Sequence, residues 1–260
     1  MLRSRGMTDS ALTPAVAPDV RLPNVVAPPV DAPSMTELFA FMADAELRFE
    51  TLRMRIVDRT WTARGEETEV SEVWLRHPSR AKVLTRVGSD APRSPSHIWL
   101  TDGETITTYE TERDIVRVRP VRDRPDGLTR QDLPGFARIY APRTMLPMET
   151  LADTFVHPRG FCRNVLATGG LELLGTTERN GRETWLIRCQ QPRRAEVLND
   201  RPDRVVECGV DRLSGVIVLL VERFGDAVTR QADVTDLTID GPMPDDVFVV
   251  HVPESARRLY

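Results

Sequence analysis

The residues able to carry chemistry are few and scattered. There are four histidines, His77, His97, His157 and His251, and three cysteines, Cys162, Cys189 and Cys208. No two histidines stand at the HxH or HExxH spacing that turns a pair of imidazoles toward one metal ion, and there is no CxxC. His157 and Cys162, beside a turn, come nearest to a ligand pair. Asp245-Asp246 could attract a cation, but the same dipeptide after Pro244 serves as a solvated turn. GxSxG, P-loop and GxGxxG patterns are all missing from the chain. Gly169-Gly170 reads as a turn that needs unusual backbone angles. The expectation is no enzyme, no cofactor and no metal site.

An odd, small number of cysteines in 260 residues is not a disulfide framework. Cys189 and Cys208 fall on successive strand-like segments, so a cross-strand bridge stands as the alternative to three reduced thiols packed as small apolar groups. The chain has 39 Asp+Glu against 35 Lys+Arg, a net charge of −4, 40% hydrophobic and 28% charged residues. That composition fits a globular chain long enough to bury a substantial core. Its acidity argues against nucleic acid as the main partner, because affinity there comes from cations neutralising phosphates. No apolar run approaches the ~18 residues of a transmembrane helix.

Lys82 is the only lysine, a bias that fits a GC-rich genome. Runs such as Arg117-Val-Arg119 and Arg193-Arg194 are too scattered to form a surface that grips anions. The start, Met1 to Ser10, is basic but has no apolar h-region after it, and Met7 is an alternative start. As written this implies a cytoplasmic protein; a true start lying upstream would make it extracytoplasmic.

The elements that must position any site can be read from hydrophobic period. Residues 1–33 carry prolines at 14, 18, 23, 28, 29 and 33, which forbid helix and sheet ladders, and read as a flexible or extended tail. A single folded domain is expected over 34–260. Ser34-Met-Thr-Glu37 has the spacing of a capping box. Leu38, Phe41, Met42, Ala45 and Phe49 then recur at helical spacing, predicting a helix of about 13 residues. From Leu52 the period becomes two. Runs at 52–57, 70–75, 83–87, 97–100, 106–109 and 115–118 predict an antiparallel meander, with Asp102-Gly103 as a hairpin turn.

The pattern breaks from Arg122 to about Ala167. Within it, Met145, Met148, Leu151, Ala152 and Phe155 form a second helical stripe, ended by His157-Pro158, with a turn or two more at 161–166. Strands resume at 171–177 and 184–190, around the strong hairpin signal Asn180-Gly181. Further strands are expected at 204–211, 216–223, 228–239 and 247–252. The fold class is α+β: a large curved antiparallel sheet of about eleven strands holding helices against one face.

Trp74, Trp99 and Trp185, with Met54, Ile56, Leu84, Ile98 and Ile187, lie on strands, and Met145, Met148, Leu151 and Phe155 on the second helical stripe. These residues either fill a core or line an apolar cavity under a helical lid over 143–155.

Two blocks of sequence carry a family resemblance. Trp74-Leu-Arg-His-Pro78-Ser-Arg80-Ala-Lys82-Val83 is followed by His97-Ile-Trp-Leu-Thr-Asp102-Gly103-Glu-Thr-Ile-Thr-Thr-Tyr109. Near the other end stand Val210-Asp211-Arg-Leu-Ser-Gly215-Val-Ile-Val-Leu and Pro244-Asp-Asp-Val-Phe248. In order and spacing they resemble the LolA-like family of lipoprotein carriers, RseB-type regulators and LppX/LprG-type lipoproteins, over roughly 35–253. The resemblance implies an unclosed half-barrel with helices in its concave face and an apolar cavity between them for acyl chains or lipidated partners. The chain departs from that family in showing neither signal peptide nor lipobox cysteine near its start. Two functions are therefore carried forward. One is a non-enzymatic carrier or sensor of an apolar ligand, an acyl chain, lipid or lipidated partner. The other is an RseB-like regulatory module that captures a protein partner, with the Pro-rich tail as its docking segment.

Overall fold

The change of hydrophobic period after Phe49 marks the passage from helix to sheet in the computed structural model, which describes residues 25–88, 96–122, 140–192 and 203–259. In chain order the elements are α1 (Met35–Ala43), β1 (Thr51–Thr62), β2 (Gly65–Arg76), β3 (Arg80–Val87), β4 (Ser96–Thr101), β5 (Thr105–Glu110) and β6 (Ile115–Pro120). They continue with α2 (Leu151–Val156), α3 (Pro158–Asn164), β7 (Gly170–Arg179), β8 (Arg182–Gln190), β9 (Arg204–Asp211), β10 (Ile217–Phe224), β11 (Ala227–Ile239) and β12 (Arg257–Leu259). The twelve strands among the described residues form one unclosed, curved sheet in the order β12-β6-β5-β4-β3-β2-β1-β11-β10-β9-β8-β7. The fold is the expected α+β half-barrel. Neighbouring strands are antiparallel except β12, which runs parallel to β6. None of the described helices is long and apolar enough to cross a membrane.

The capping box forms as its spacing requires. Ser34 Oγ accepts the Glu37 backbone N–H, and Glu37 Oε2 accepts the Ser34 N–H at 2.8 Å. The helix so started runs nine residues, ends at Asp44 and is followed by a 3-10 turn over Ala45–Arg48. Leu38, Phe41 and Met42 are its buried stripe. They pack on the inner face of the sheet, which begins with Leu52, Met54 and Ile56 of β1. Strand register carries that face to Val73 and Leu75 of β2, Val83 of β3 and Trp99 of β4. On the other flank it reaches Cys208 of β9, and Ile187 and Trp185 of β8. Each such side chain, once buried, contributes about 1.5–3 kcal/mol of transfer free energy. The three cysteines are free and buried; Cys189 is paired with Val206 across β8 and β9, and Cys208 with Ile187, so the two are not opposite one another.

Two turns explain why the quoted blocks contain the residues they do. Asp211 to Gly215 links β9 to β10, and Gly215 has φ +81, a left-handed conformation. A Cβ there would lie 3.1 Å from the Phe41 carbonyl oxygen, so α1 sits directly on this turn. Gly103, with φ +97, closes β4–β5, and a Cβ on it would come within 2.3 Å of Ser79 Cβ. The His-Pro-Ser turn and the Asp-Gly turn are therefore packed against each other. Gly169 differs from expectation, because its backbone is ordinary extended (φ −114). What excludes a side chain there is the Gln190 carbonyl oxygen, 2.3 Å from where a Cβ would stand.

Two elements depart from the sequence reading. The expected lid helix over 143–155 is helical only from Leu151. Pro147 and the positive φ of Glu149 interrupt it, and Thr150 caps the shorter helix by accepting the Asp153 N–H. The expected strand at 247–252 does not form. Both edges of β11 are already taken, by β1 and β10, so the chain after it has no edge there to join. It turns through a 3-10 segment, Asp245–Phe248, and lies over the outer face. Lys82 Nζ donates to the carbonyls of Val247 and Val249, and Val250, Val252 and Ala256 cover Ile98, Tyr109 and Val116.

Of the proline-rich tail, residues 25–33 are described and residues 1–24 lie outside the described residues. The Val26 N–H donates to Asp44 Oδ2, the Val26 carbonyl accepts from Arg48, and the Val30 carbonyl accepts from Arg212.

Candidate binding cleft

The helical layer leaves a cleft of about 320 Å³ on its own surface, within the usual size range of ligand pockets. One wall is the end of α1 and the turn after it, with Met42, Ala43 and Glu46. A second is the non-helical strap of residues 140–149, which contributes Tyr140, Ala141, Pro142, Met148 and Glu149. The third is α2 and α3, with Asp153, His157, Arg159, Phe161 and Val165. Most of these surfaces are apolar, and a small polar group is set into one side.

Local sequence explains the polar group. Asp153 and His157 are four residues apart, and the first turns of α2 bring them together, with His157 Nδ1 2.9 Å from Asp153 Oδ1. Pro158 then opens α3 at its first position, where its missing N–H costs nothing. The His157 side chain is only 9% exposed. Its Nε2 lies 3.6 Å from Glu46 Oε2 and has no hydrogen-bond partner. Arg159 stacks on the Tyr140 ring at 4.6 Å.

The strap is latched from beneath. The Arg143 N–H donates to Glu46 Oε2 at 2.8 Å. Buried Thr144 accepts the Ser79 N–H at 2.9 Å and lies 2.8 Å from His77 Nδ1. His77 is itself buried and stacked on Phe49. Burial pushes its imidazole down to about 4, with the positive charge of Arg143 adding to the effect. The sign follows directly. In the unfolded chain the ring takes up a proton near 6.5, but in the folded protein it does so only near 4. Stability should therefore fall as pH is lowered from 6.5 towards 4, by about 2 kcal/mol once solvent screening is allowed for. Urea unfolding at the two ends of that range, on the native chain and on His77→Asn, checks this. The His77 contribution is the part of the pH slope that disappears in the variant, and an unchanged slope would contradict it.

The sheet divides the residues expected to line a cavity. Met54, Ile56, Trp185, Ile187 and Phe155 are buried together in the inner-face core, with Met145 and Leu151 packed against it. Trp74, Leu84 and Ile98 lie on the outer face, away from the helices. Trp74 has Lys82 Nζ 5.7 Å from its ring centroid, and Ile98 packs under the C-terminal segment. Trp99 is buried in the inner-face core as well, and of all these residues Met148 alone lines the cleft; it is 59% exposed. Glu46, Tyr140, Asp153, His157 and Arg159 were not singled out from sequence as members of one site, although the i,i+4 spacing of Asp153 and His157 is a readable signal. His157 and Cys162 part company: Cys162 points into the core, its Sγ 3.6 Å from Met42 Sδ. Among the described residues no cluster of His, Cys, Asp and Glu is arranged to hold a metal ion.

Comparison with protein-family models and with curated proteins returns no match. Solved structures do show similar architecture. MucB is similar at a TM-score of 0.48 and 15% identity, over 84% of this chain and 62% of MucB. The Mycobacterium tuberculosis lipoprotein LppX is similar at a TM-score of 0.41 and 13% identity, over 81% of this chain and 99% of LppX. A LolA superfamily protein from Nitrosomonas europaea is similar at a TM-score of 0.32 and 10% identity, over 84% of this chain and 99% of that one.

Proposed function

We propose that this chain is a non-enzymatic binding protein, a carrier or sensor that holds one apolar or amphiphilic ligand, such as an acyl chain, a lipid or a lipidated partner. The observation that carries the reading is the cleft of about 320 Å³ between α1, the strap and α2–α3, apolar along most of its walls and polar at one side. A pocket of this make-up orients an amphiphile by its head and holds the rest by burial. The strap forms one wall and is not part of any helix or strand, so its latch on Glu46, His77 and Ser79 would set the rate of ligand exchange.

Native mass spectrometry of the purified chain, followed by organic extraction, tests this. The expected result is a lipid or other amphiphile at near one-to-one stoichiometry. Met148→Glu, on the exposed rim of the cleft, should lower that occupancy while leaving thermal stability unchanged. A bare mass that stays bare on addition of fatty acid, lysolipid and alkylamine would overturn the reading.

A further inference from the structure

Arginine pairs that lie far apart in sequence meet at one edge of the sheet. β12 pairs with residues 115–117 of β6, so Arg257-Arg258 lies alongside Arg117-Val-Arg119. The two strands carry four arginines and no carboxylate, in a chain whose net charge is −4. The Arg117 guanidinium is bonded to Glu110 of β5. Those of Arg119, Arg257 and Arg258 are exposed and form no ion pair among the described residues. Exposed carboxylates border the strands at either end. Glu112 and Glu254 stand near Asp114, which precedes β6 and bonds Ser255; Glu104, whose carbonyl accepts the Val121 N–H, stands past the end of β6. The positive charge between them, on an acidic protein, calls for an anion. Apolar surface opens at the same edge. Thr107, Val116, Val118, Val252, Arg258 and Leu259 line a hollow of about 170 Å³. Val118 is 42% and Leu259 37% exposed, so two of its walls face water. β12 is three residues long, and Pro120 of β6 has no N–H to offer, so the open edge is too short to template a strand from another chain. Arg119 stands opposite Ile106 of the inner-face core, and Arg258 lines the hollow on the outer face, so cations flank the edge on both sides. That disposition suits a flat anionic surface met edge-on, not a peptide held in a groove.

We propose that the β6–β12 edge docks this protein on an anionic lipid bilayer, with Arg119, Arg257 and Arg258 at the lipid phosphates and Val118 and Leu259 set among the head groups. Phosphate oxygens offer each guanidinium fork a bidentate acceptor. The cleft is built from other elements, so docking does not depend on what the cleft holds.

The test is co-sedimentation of the full chain with sucrose-loaded vesicles, of phosphatidylcholine alone and of phosphatidylcholine with about one third phosphatidylglycerol. Binding to the mixed vesicles should be at least about tenfold stronger and should weaken as salt is raised. Arg257→Gln together with Arg258→Gln should weaken it by about tenfold or more, since each arginine at an anionic surface is worth about fivefold. Leu259→Ser should weaken it by a smaller factor. Arg64→Gln, which removes a charge at the exposed turn between β1 and β2, should leave it unchanged. All four positions are exposed, so thermal unfolding should stay at the native value and a loss of binding reads docking, not folding. Equal binding to both vesicle compositions, binding unmoved by the paired arginine substitution, or an equal loss from Arg64→Gln would overturn the proposal. So would binding to soluble polyglutamate with none to vesicles, which would assign the edge to an acidic protein instead.

Discussion

Replacing Asp211 with alanine should cost about 3 kcal/mol of folding stability, a large loss for one side chain in a turn. The carboxylate is 1% exposed and accepts five hydrogen bonds. Two come from Arg182, at 2.6 and 3.1 Å; the others come from the Leu213 N–H, the Ser214 N–H and the Ser214 hydroxyl. Burial alone would raise its carboxyl, but the Arg182 and Ser214 bonds outweigh burial and hold it below the usual carboxylate range. Its contribution is therefore fully present above that range and is lost as pH falls through the lowered value. The effect does not stop at the turn. The Ser214 carbonyl accepts from Arg48, and Gly215 is the seat of α1, so a loosened turn removes support from the helix that walls the cleft. Asp211→Asn keeps an acceptor for the turn but loses the charge facing Arg182, and should cost less. Urea unfolding reads both; a loss below about 1 kcal/mol for Asp211→Ala would show that the turn holds without its carboxylate.

Phe155→Ala should cost still more, about 3–5 kcal/mol. Phe155 is fully buried in the cluster that holds Phe41, Met54 and Ile187. Truncating it leaves a cavity in a close-packed layer, and neighbours pinned by twelve strands collapse into it only in part. Trp74→Ala is the informative partner. Trp74 is the larger side chain but is partly exposed on the outer face, so its loss should cost no more than about 2 kcal/mol. The contrast bears on function. If the inner face were hollow under α2, Phe155 would already border empty space, and its truncation would cost little more than that of Trp74. A large difference in denaturant midpoint means a filled inner face, which leaves the surface cleft as the place for a ligand. Equal losses would return the ligand to the space between sheet and helices.

Sequence alone determined the local features of this protein, because each has its cause within a few residues. The capping box at Ser34 and Glu37 needs only its own hydrogen bonds. The Asn180-Gly181 hairpin needs two residues able to take positive φ, and both do. The period of two from Leu52 onward makes strands wherever it occurs, and the Asp-Gly and Asp-to-Gly turns fall where their left-handed glycines allow. A large curved sheet holding helices against one face was legible too, because about eleven strands with helices interposed leave few ways to bury one face; that the sheet is an unclosed half-barrel was implied by the family resemblance.

Which face each strand turns toward the helices was a different kind of fact. Alternation says that Met54 and Arg55 point opposite ways, but it does not relate Met54 to Trp74. Only the register that pairs Met54 with Val73 does that, and it sends Trp74, Leu84 and Ile98 to the outer face. The end segment was misread as a strand for the same reason, since its own pattern cannot show that the edges of β11 are occupied. The cleft depended wholly on tertiary structure. Glu46, Tyr140 and His157 come from separate stretches of chain, and they meet because Arg143 and Thr144 dock on groups far away in sequence. Local energetics fix elements over a few residues; a site assembled from contacts a hundred residues apart exists only once the sheet has set which surfaces face one another.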